Sequence, residues 1–148
     1  EISRLVETAD LALLPFVRAR KKIAQALVSA NPHVRYWGLV VCSCFGEQAR
    51  PLVPAASRLL DDPDQLVRVR AAEFLGIVEA VDPAATLLDV LATTEDGIEA
   101  LLAMNTIVFL RDGSWKYEFD IDPASIKTVT PLVTRRLEYL GLVPLQKK

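Results

Sequence analysis

The chain has 148 residues, 51% of them hydrophobic, with six glycines and a net charge of −2. That is enough apolar material for one sizeable core and excludes a disordered chain, while the shortage of glycine and aromatics favours closely packed helices over a many-turned β-sandwich. Residues 1–60 carry eight Lys/Arg against four Asp/Glu and residues 61–148 nine against fifteen, so the front is +4 and the back −6, and no broad basic face of the kind nucleic acids require is present.

In chain order, Ile2, Leu5 and Val6 already show helical spacing behind Glu1, as expected of a piece of a longer protein. No apolar run reaches the roughly 18 residues that span a bilayer, and no signal-peptide pattern opens the chain, so it reads as soluble with no membrane partner. Apolar periodicity predicts helices near 2–12, 14–29, 33–45, 50–60, 63–79, 83–93 and 96–111. In the second of these, Arg18, Arg20, Lys21 and Lys22 occupy about one turn opposite Phe16, Val17, Ile23 and Leu27. A solvated face is the favoured reading, and this turn is where a polyanion or sulfated glycan would make contact. Cys42 and Cys44, two positions apart on a helix, point about 200° apart and cannot readily pair or chelate together. Both are expected to be buried small hydrophobes.

A repeat of about 32 residues runs through this helical stretch. Asn31-Pro32 leads into Val34-Arg35-Tyr36-Trp37-Gly38-Leu39, and Asp62-Pro63 leads into Val67-Arg68-Val69-Arg70-Ala71-Ala72, the two Val-Arg pairs lying 33 apart. A weaker third copy starts near Thr94-Glu95-Asp96. The spacing predicts Asp62 as the N-cap and Pro63 as the first residue of a helix, with the same device at Asp82-Pro83. Val67, Ala71, Phe74, Leu75 and Val78 form its inner stripe, and small residues such as Gly38, Ala71 and Ala72 permit close helix approach. Pro32, Pro63, Arg35 and Arg68 are read as structural repeat positions. Each arginine is expected to meet a carboxylate or a carbonyl of the adjoining repeat.

The run Asp62-Pro63-Asp64, Val67-Arg68, Ala71-Ala72, Leu75-Gly76 resembles the HEAT repeat in its short, phycobilin-lyase-like form, over about residues 13–111. The resemblance implies an all-α, armadillo-like fold: a right-handed α-α superhelix of about three to four helical hairpins with a C-terminal capping segment. It departs in the third copy, where Ile98-Glu99 replaces Val-Arg. The division expected from the pattern is 1–112 for the repeats and 113–148 for an extended aromatic segment plus a C-terminal capping helix.

After Leu110 the period changes. In Trp115-Lys116-Tyr117-Glu118-Phe119-Asp120-Ile121, apolar and charged residues alternate as in a strand. With no partner strand in sight, Trp115, Tyr117 and Phe119 would line one side of an extended segment, closing the open end of the stack or contacting a partner. Asp122-Pro123 and Thr130-Pro131 both offer helix starts, so 123–140 is predicted as one kinked helix or two, with an inner stripe of Leu132, Val133, Leu137 and Leu140 and Gly141 as its terminator.

Val34-Arg35-Tyr36-Trp37-Gly38, Ala103-Met104-Asn105-Thr106-Ile107-Val108-Phe109-Leu110-Arg111-Asp112-Gly113 and Phe119-Asp120-Ile121-Asp122-Pro123 are together similar to the C-terminal tail of certain bacterial sulfatases. That resemblance implies an accessory segment of a sulfuric ester hydrolase, in a periplasmic or exported location, docked on an upstream catalytic domain of the same chain. The Cys/Ser-x-Pro/Ala-x-Arg motif of such enzymes does not occur here, so no catalytic residue carries over. No cofactor-binding loop is present, and His33 stands alone beside Pro32 at a helix start. Asp61, Asp62 and Asp64 suit helix capping better than calcium. The segment therefore reads as a scaffold with no catalytic, cofactor or metal residues of its own, or as an independent adaptor binding another protein.

Overall fold

A computed structural model describes residues 2–145, and its contacts gather the chain into two compact units, 1–82 and 83–148. Among the described residues all regular structure is helical, and no strand forms. The first unit holds α1 (Ile2–Ala9), α2 (Phe16–Leu27), α3 (Pro32–Phe45), α4 (Val53–Ser57) and α5 (Gln65–Ile77); the second holds α6 (Ala84–Thr93), α7 (Gly97–Asp112) and α8 (Pro131–Tyr139). No described helix is long and apolar enough to cross a membrane. The sequence pattern draws its boundary after residue 112, where the repeat stops; the contacts draw theirs after residue 82, and the segment from 113 onward groups with α6 and α7.

Two predicted helices are shorter than their apolar patterns. The one near 2–12 becomes α1 and then a 3-10 turn over Asp10–Leu13, and the one near 50–60 is reduced to α4 between 3-10 turns at Gly46–Leu52 and Arg58–Asp61. Pro51 and Pro54 explain the second case. Each lacks an amide hydrogen, so the backbone ladder breaks around them.

The helix starts carry the repeat. Asn31 caps α3 by accepting from the His33 amide at 2.9 Å, Asp64 caps α5 through the Val67 amide at 3.1 Å, Asp96 caps α7 through the Ile98 and Glu99 amides, and Thr130 caps α8 through the Val133 amide at 3.2 Å. These caps are 33, 32 and 34 residues apart. The side chain two positions before a cap accepts from the cap's own amide three times: Ser29 from Asn31, Asp62 from Asp64 and Thr94 from Asp96. This corrects the expected start of α5. Asp62 is not its cap and Pro63 is not its first residue; both precede the cap, and Pro32 corresponds in register to Gln65.

The reason lies in Arg35. Its Nε and Nη2 donate to Oδ2 and Oδ1 of Asp62 at 2.7 and 2.8 Å, and Nη1 donates to the Ser29 and Ala30 carbonyls at 2.8 and 3.2 Å. The Asp62 carboxylate is thus occupied from the previous repeat. Arg68, at the equivalent place in α5, donates to the Leu60 carbonyl at 2.9 Å and to Gln65. In α7 the same place is taken by Ala100, so the third copy has no guanidinium to offer.

Within the first unit α3 packs against α1, α2 and α5, and α4 packs against α5. One apolar cluster runs through them, including Ile23 and Leu27 of α2, Leu39 and Val41 of α3, Ala56 of α4, and Val67, Ala71, Phe74 and Leu75 of α5. Gly38 sets the α2–α3 approach: a Cβ there would stand 3.1 Å from the Ala26 side chain and 3.2 Å from Leu27. Val17, expected in the inner stripe of α2, is 84% exposed, and Ala19 takes the buried place.

The cysteines divide. Cys42 is buried and Cys44 is exposed, which corrects the expectation that both would be buried and follows from their opposite directions around α3. Burial pushes the Cys42 thiol from 9.0 up to about 12. A disulfide-exchange thiol reagent at pH 8 is expected to titrate one thiol in the folded protein and two in denaturant. Equal reaction of both thiols in the folded state would contradict this placement. Because the folded value is raised, the contribution to stability is complete below pH 9 and declines as pH climbs toward 12.

In the second unit α7 packs against both α6 and α8. The stretch from 113 to 130 contains one short 3-10 turn, Pro123–Ser125, and lies along the helices. Its Lys127 amide donates to the Leu91 carbonyl at 3.0 Å, the Thr128 hydroxyl donates to the Thr94 carbonyl at 2.8 Å, and Lys127 pairs with Glu95 at 2.8 Å. Of the region predicted as one kinked helix or two, only Pro131–Tyr139 becomes an α-helix. Val133 and Leu137 are buried in it, while Leu132 is exposed despite its place in the expected stripe. Gly141 adopts a positive φ of 73°, and the Leu142 amide returns to the Leu137 carbonyl at 2.9 Å, closing α8.

Candidate functional site

A cavity lies in the first unit, where α1 and the 3-10 turn after it face α2. Its volume is about 450 Å³, and Arg4, Glu7, Thr8, Asp10, Leu11, Leu14, Lys22, Gln25, Ala26 and Val34 line it. Leu11, Ala26 and Val34 are buried and form an apolar floor, with the buried Thr8 beside them. Arg4, Glu7, Asp10, Lys22 and Gln25 are exposed and form a polar rim.

Of the basic residues singled out in the sequence, Arg18, Arg20, Lys21 and Lys22 are all exposed on α2, but only Lys22 reaches this cleft. The cleft itself is a feature that sequence reading missed. Arg4, Glu7 and Asp10 recur at intervals of three, and Lys22 and Gln25 repeat that interval on α2, so the spacing was visible; the pairing of the two rows was not.

The aromatic segment is placed differently. Trp115, Tyr117 and Phe119 are half-buried and Ile121 is buried, while Lys116, Glu118 and Asp120 between them are exposed, so the alternation survives without a sheet. Trp115 packs on Phe109 with ring centroids 5.2 Å apart. Phe119 and Ile121 close a small cavity of about 70 Å³ with Ile107, Arg111, Leu140 and Leu142. Trp115 thus lies against α7 and Phe119 against α7 and the end of α8, with part of each ring still open to solvent.

A second, more apolar groove of about 430 Å³ lies at the N-terminal ends of α7 and α8, lined by Asp96, Gly97, Ile98, Leu101, Thr130, Pro131 and Leu132. Gly97 permits the close approach, since a Cβ there would stand 2.7 Å from the Thr130 methyl. Ile98 and Leu132 are exposed on its walls.

A polar cluster ties α3 to α5. Arg70 donates to both Glu73 carboxylate oxygens at 3.0 and 2.8 Å and to the Tyr36 hydroxyl at 2.8 Å, with its guanidinium 5.1 Å from the Tyr36 ring centroid. Burial acts to lower its pKa, but the Glu73 charge and the Tyr36 hydroxyl outweigh it and hold Arg70 above its ordinary value. The Tyr36 contact braces α3 to α5, while the Arg70–Glu73 pair lies within α5.

Among the described residues no group of three His, Cys, Asp or Glu side chains is placed to hold a metal ion. His33 is exposed at the start of α3, and the Asn31 side chain receives its backbone amide and not its ring. Among the described residues the fold is all-helical, and its open features include a charged cleft, an apolar groove and an aromatic segment. No protein-family model, curated protein or solved structure matches the chain.

Proposed function

We propose that this chain is a non-catalytic helical-repeat scaffold of the HEAT type, a right-handed superhelix that serves as the C-terminal docking part of a bacterial sulfatase-type hydrolase. The observation that carries the scaffold reading is the Arg35–Asp62 pair. Here an arginine of one repeat grips the residue two before the cap of the next, a contact suited to holding these two hairpins in register. The hydroxyl of Thr128 on the Thr94 carbonyl continues that logic between the positions two before the last two caps. The sulfatase link rests on the three sequence segments that resemble the tail of those enzymes. With it go an upstream catalytic domain as partner, an exported location and a contact with sulfated glycan at the exposed basic turn of α2.

The decisive experiment is to read the coding sequence upstream of Glu1 and to assay the complete protein with an aryl sulfate. A Cys/Ser-x-Pro/Ala-x-Arg motif upstream is expected. Removal of this segment should impair assembly of the enzyme while leaving its catalytic residues untouched. The absence of that motif would remove the sulfatase reading.

The alternative is an independent adaptor that binds a protein partner. Ile2, Val6, Leu13 and Val17 in the first unit and Ile98 and Leu132 in the second are large apolar side chains left in water, which is the composition of a contact surface.

A further inference from the structure

We propose that the cleft between α1 and α2 is a binding site for a small zwitterionic ligand of the short-peptide class, carrying a free ammonium, a free carboxylate and an aliphatic body. This goes beyond the scaffold reading and does not depend on it.

Size comes first. A volume of about 450 Å³ falls in the range of small-molecule sites and exceeds what a single ion would fill. The floor decides the body of the ligand. Leu11, Ala26 and Val34 are buried there, and the one polar floor side chain, Thr8, has already donated its hydroxyl to the Arg4 carbonyl at 2.8 Å. An aliphatic group settles on such a floor without stranding a hydrogen bond.

The rim decides the ends. Arg4 and Lys22 are cations, Glu7 and Asp10 are anions, and Gln25 adds an amide that both donates and accepts. All four charged groups are exposed, and none is ion-paired with another described residue, so each can turn to a ligand in exchange for water. A polyanion would be drawn by Arg4 and Lys22 but repelled by Glu7 and Asp10, and a polycation would meet the reverse. An uncharged apolar ligand would desolvate all four without compensation. A ligand bearing one group of each sign complements both pairs, which is the arrangement that sets specificity through charge.

The test is an amide NMR titration of the whole chain with L-alanyl-L-leucine. Its comparators are the N-acetylated peptide, the C-amidated peptide and a sulfated disaccharide. The expected result is saturable shifts centred on Thr8, Leu11 and Ala26, with capping of either end weakening binding about tenfold, which is ~1.4 kcal/mol. Lys22→Ala and Asp10→Ala, both surface substitutions, should each weaken the free peptide and leave the amide spectrum of α5 in place. The proposal is overturned by the absence of saturable shifts at these residues up to about 20 mM, well above millimolar affinity. Equal affinity for free and capped peptides overturns it too, as does a sulfated disaccharide that binds there in place of the dipeptide. The comparison of free and capped peptides uses the unaltered chain, so it decides the matter even if a variant fails to fold.

Discussion

Replacing Arg35 by alanine is expected to lower the unfolding free energy by about 3 kcal/mol, because it leaves a buried carboxylate without its counter-charge. The side chains of Arg35 and Asp62 are only 12% and 5% exposed, and the contact is bidentate. Without the guanidinium, Asp62 keeps the Asp64 amide at 3.0 Å, and the Ser29 and Ala30 carbonyls lose the same donor. Lysine should not rescue the loss. A point ammonium cannot satisfy two carboxylate oxygens and two carbonyls from one planar group. Removing both partners, as in Arg35→Met with Asp62→Leu, should recover much of the stability, since no unpaired charge is then left inside. Urea unfolding monitored by circular dichroism reads both effects, with an unchanged slope showing that stability alone has moved. A loss below about 0.5 kcal/mol, the level of an exposed ion pair, would mean that the pair is solvated and does not lock the repeats. The hydrogen bonds that Arg35 donates to Asp62 raise its pKa above the ordinary value, against the opposing pull of burial. A raised value means that the contribution is complete below the ordinary guanidinium range and fades only above it, so Arg35 stays charged throughout any alkaline titration the fold survives.

The 33-residue interval between Val34-Arg35 and Val67-Arg68 was legible because it is written in residue types, and the caps at Asn31, Asp64, Asp96 and Thr130 keep nearly the same interval. The cap of α5 was misplaced because Asp62-Pro63 satisfies every local rule for a helix start. What moves the start two residues onward is a contact from 27 positions away, Arg35 on Asp62, and no local rule contains it. The recurrence of an accepting side chain two before the cap was equally hard to see, since Ser29, Asp62 and Thr94 share a role and not a chemical type. Alternation through Trp115–Ile121 reappears as alternating burial, because alternation reports direction and needs no partner strand. The cleft is the opposite case. Its rim draws Arg4 and Glu7 from α1, Asp10 from a 3-10 turn and Lys22 and Gln25 from α2, so its charge balance appears only when the chain has folded back.

Phe74→Ala should be about as damaging, costing about 3–5 kcal/mol, for a reason that is purely geometric. Phe74 is fully buried in α5 at 0% exposure, and it belongs to a cluster that gathers residues from α2, α3, α4 and α5. Truncation opens a void in a region where the neighbours cannot easily close in. Gly38 already brings α3 so close to α2 that a Cβ on it would stand 3.1 Å from the Ala26 side chain, and Arg35 fixes the turn before α3 to the turn before α5. A core held at two such points relaxes little, so the cavity persists. Phe74→Leu keeps most of the volume and is expected to cost less than about 2 kcal/mol. Amide exchange distinguishes a local effect from a shared one: the cluster is continuous, so protection should fall together through α2, α3 and α5. Loss confined to α5, with α2 and α3 retaining their protection, would show that the hairpins of this unit are held by the arginine pair and their own helices, and not by burial of one stripe against the next.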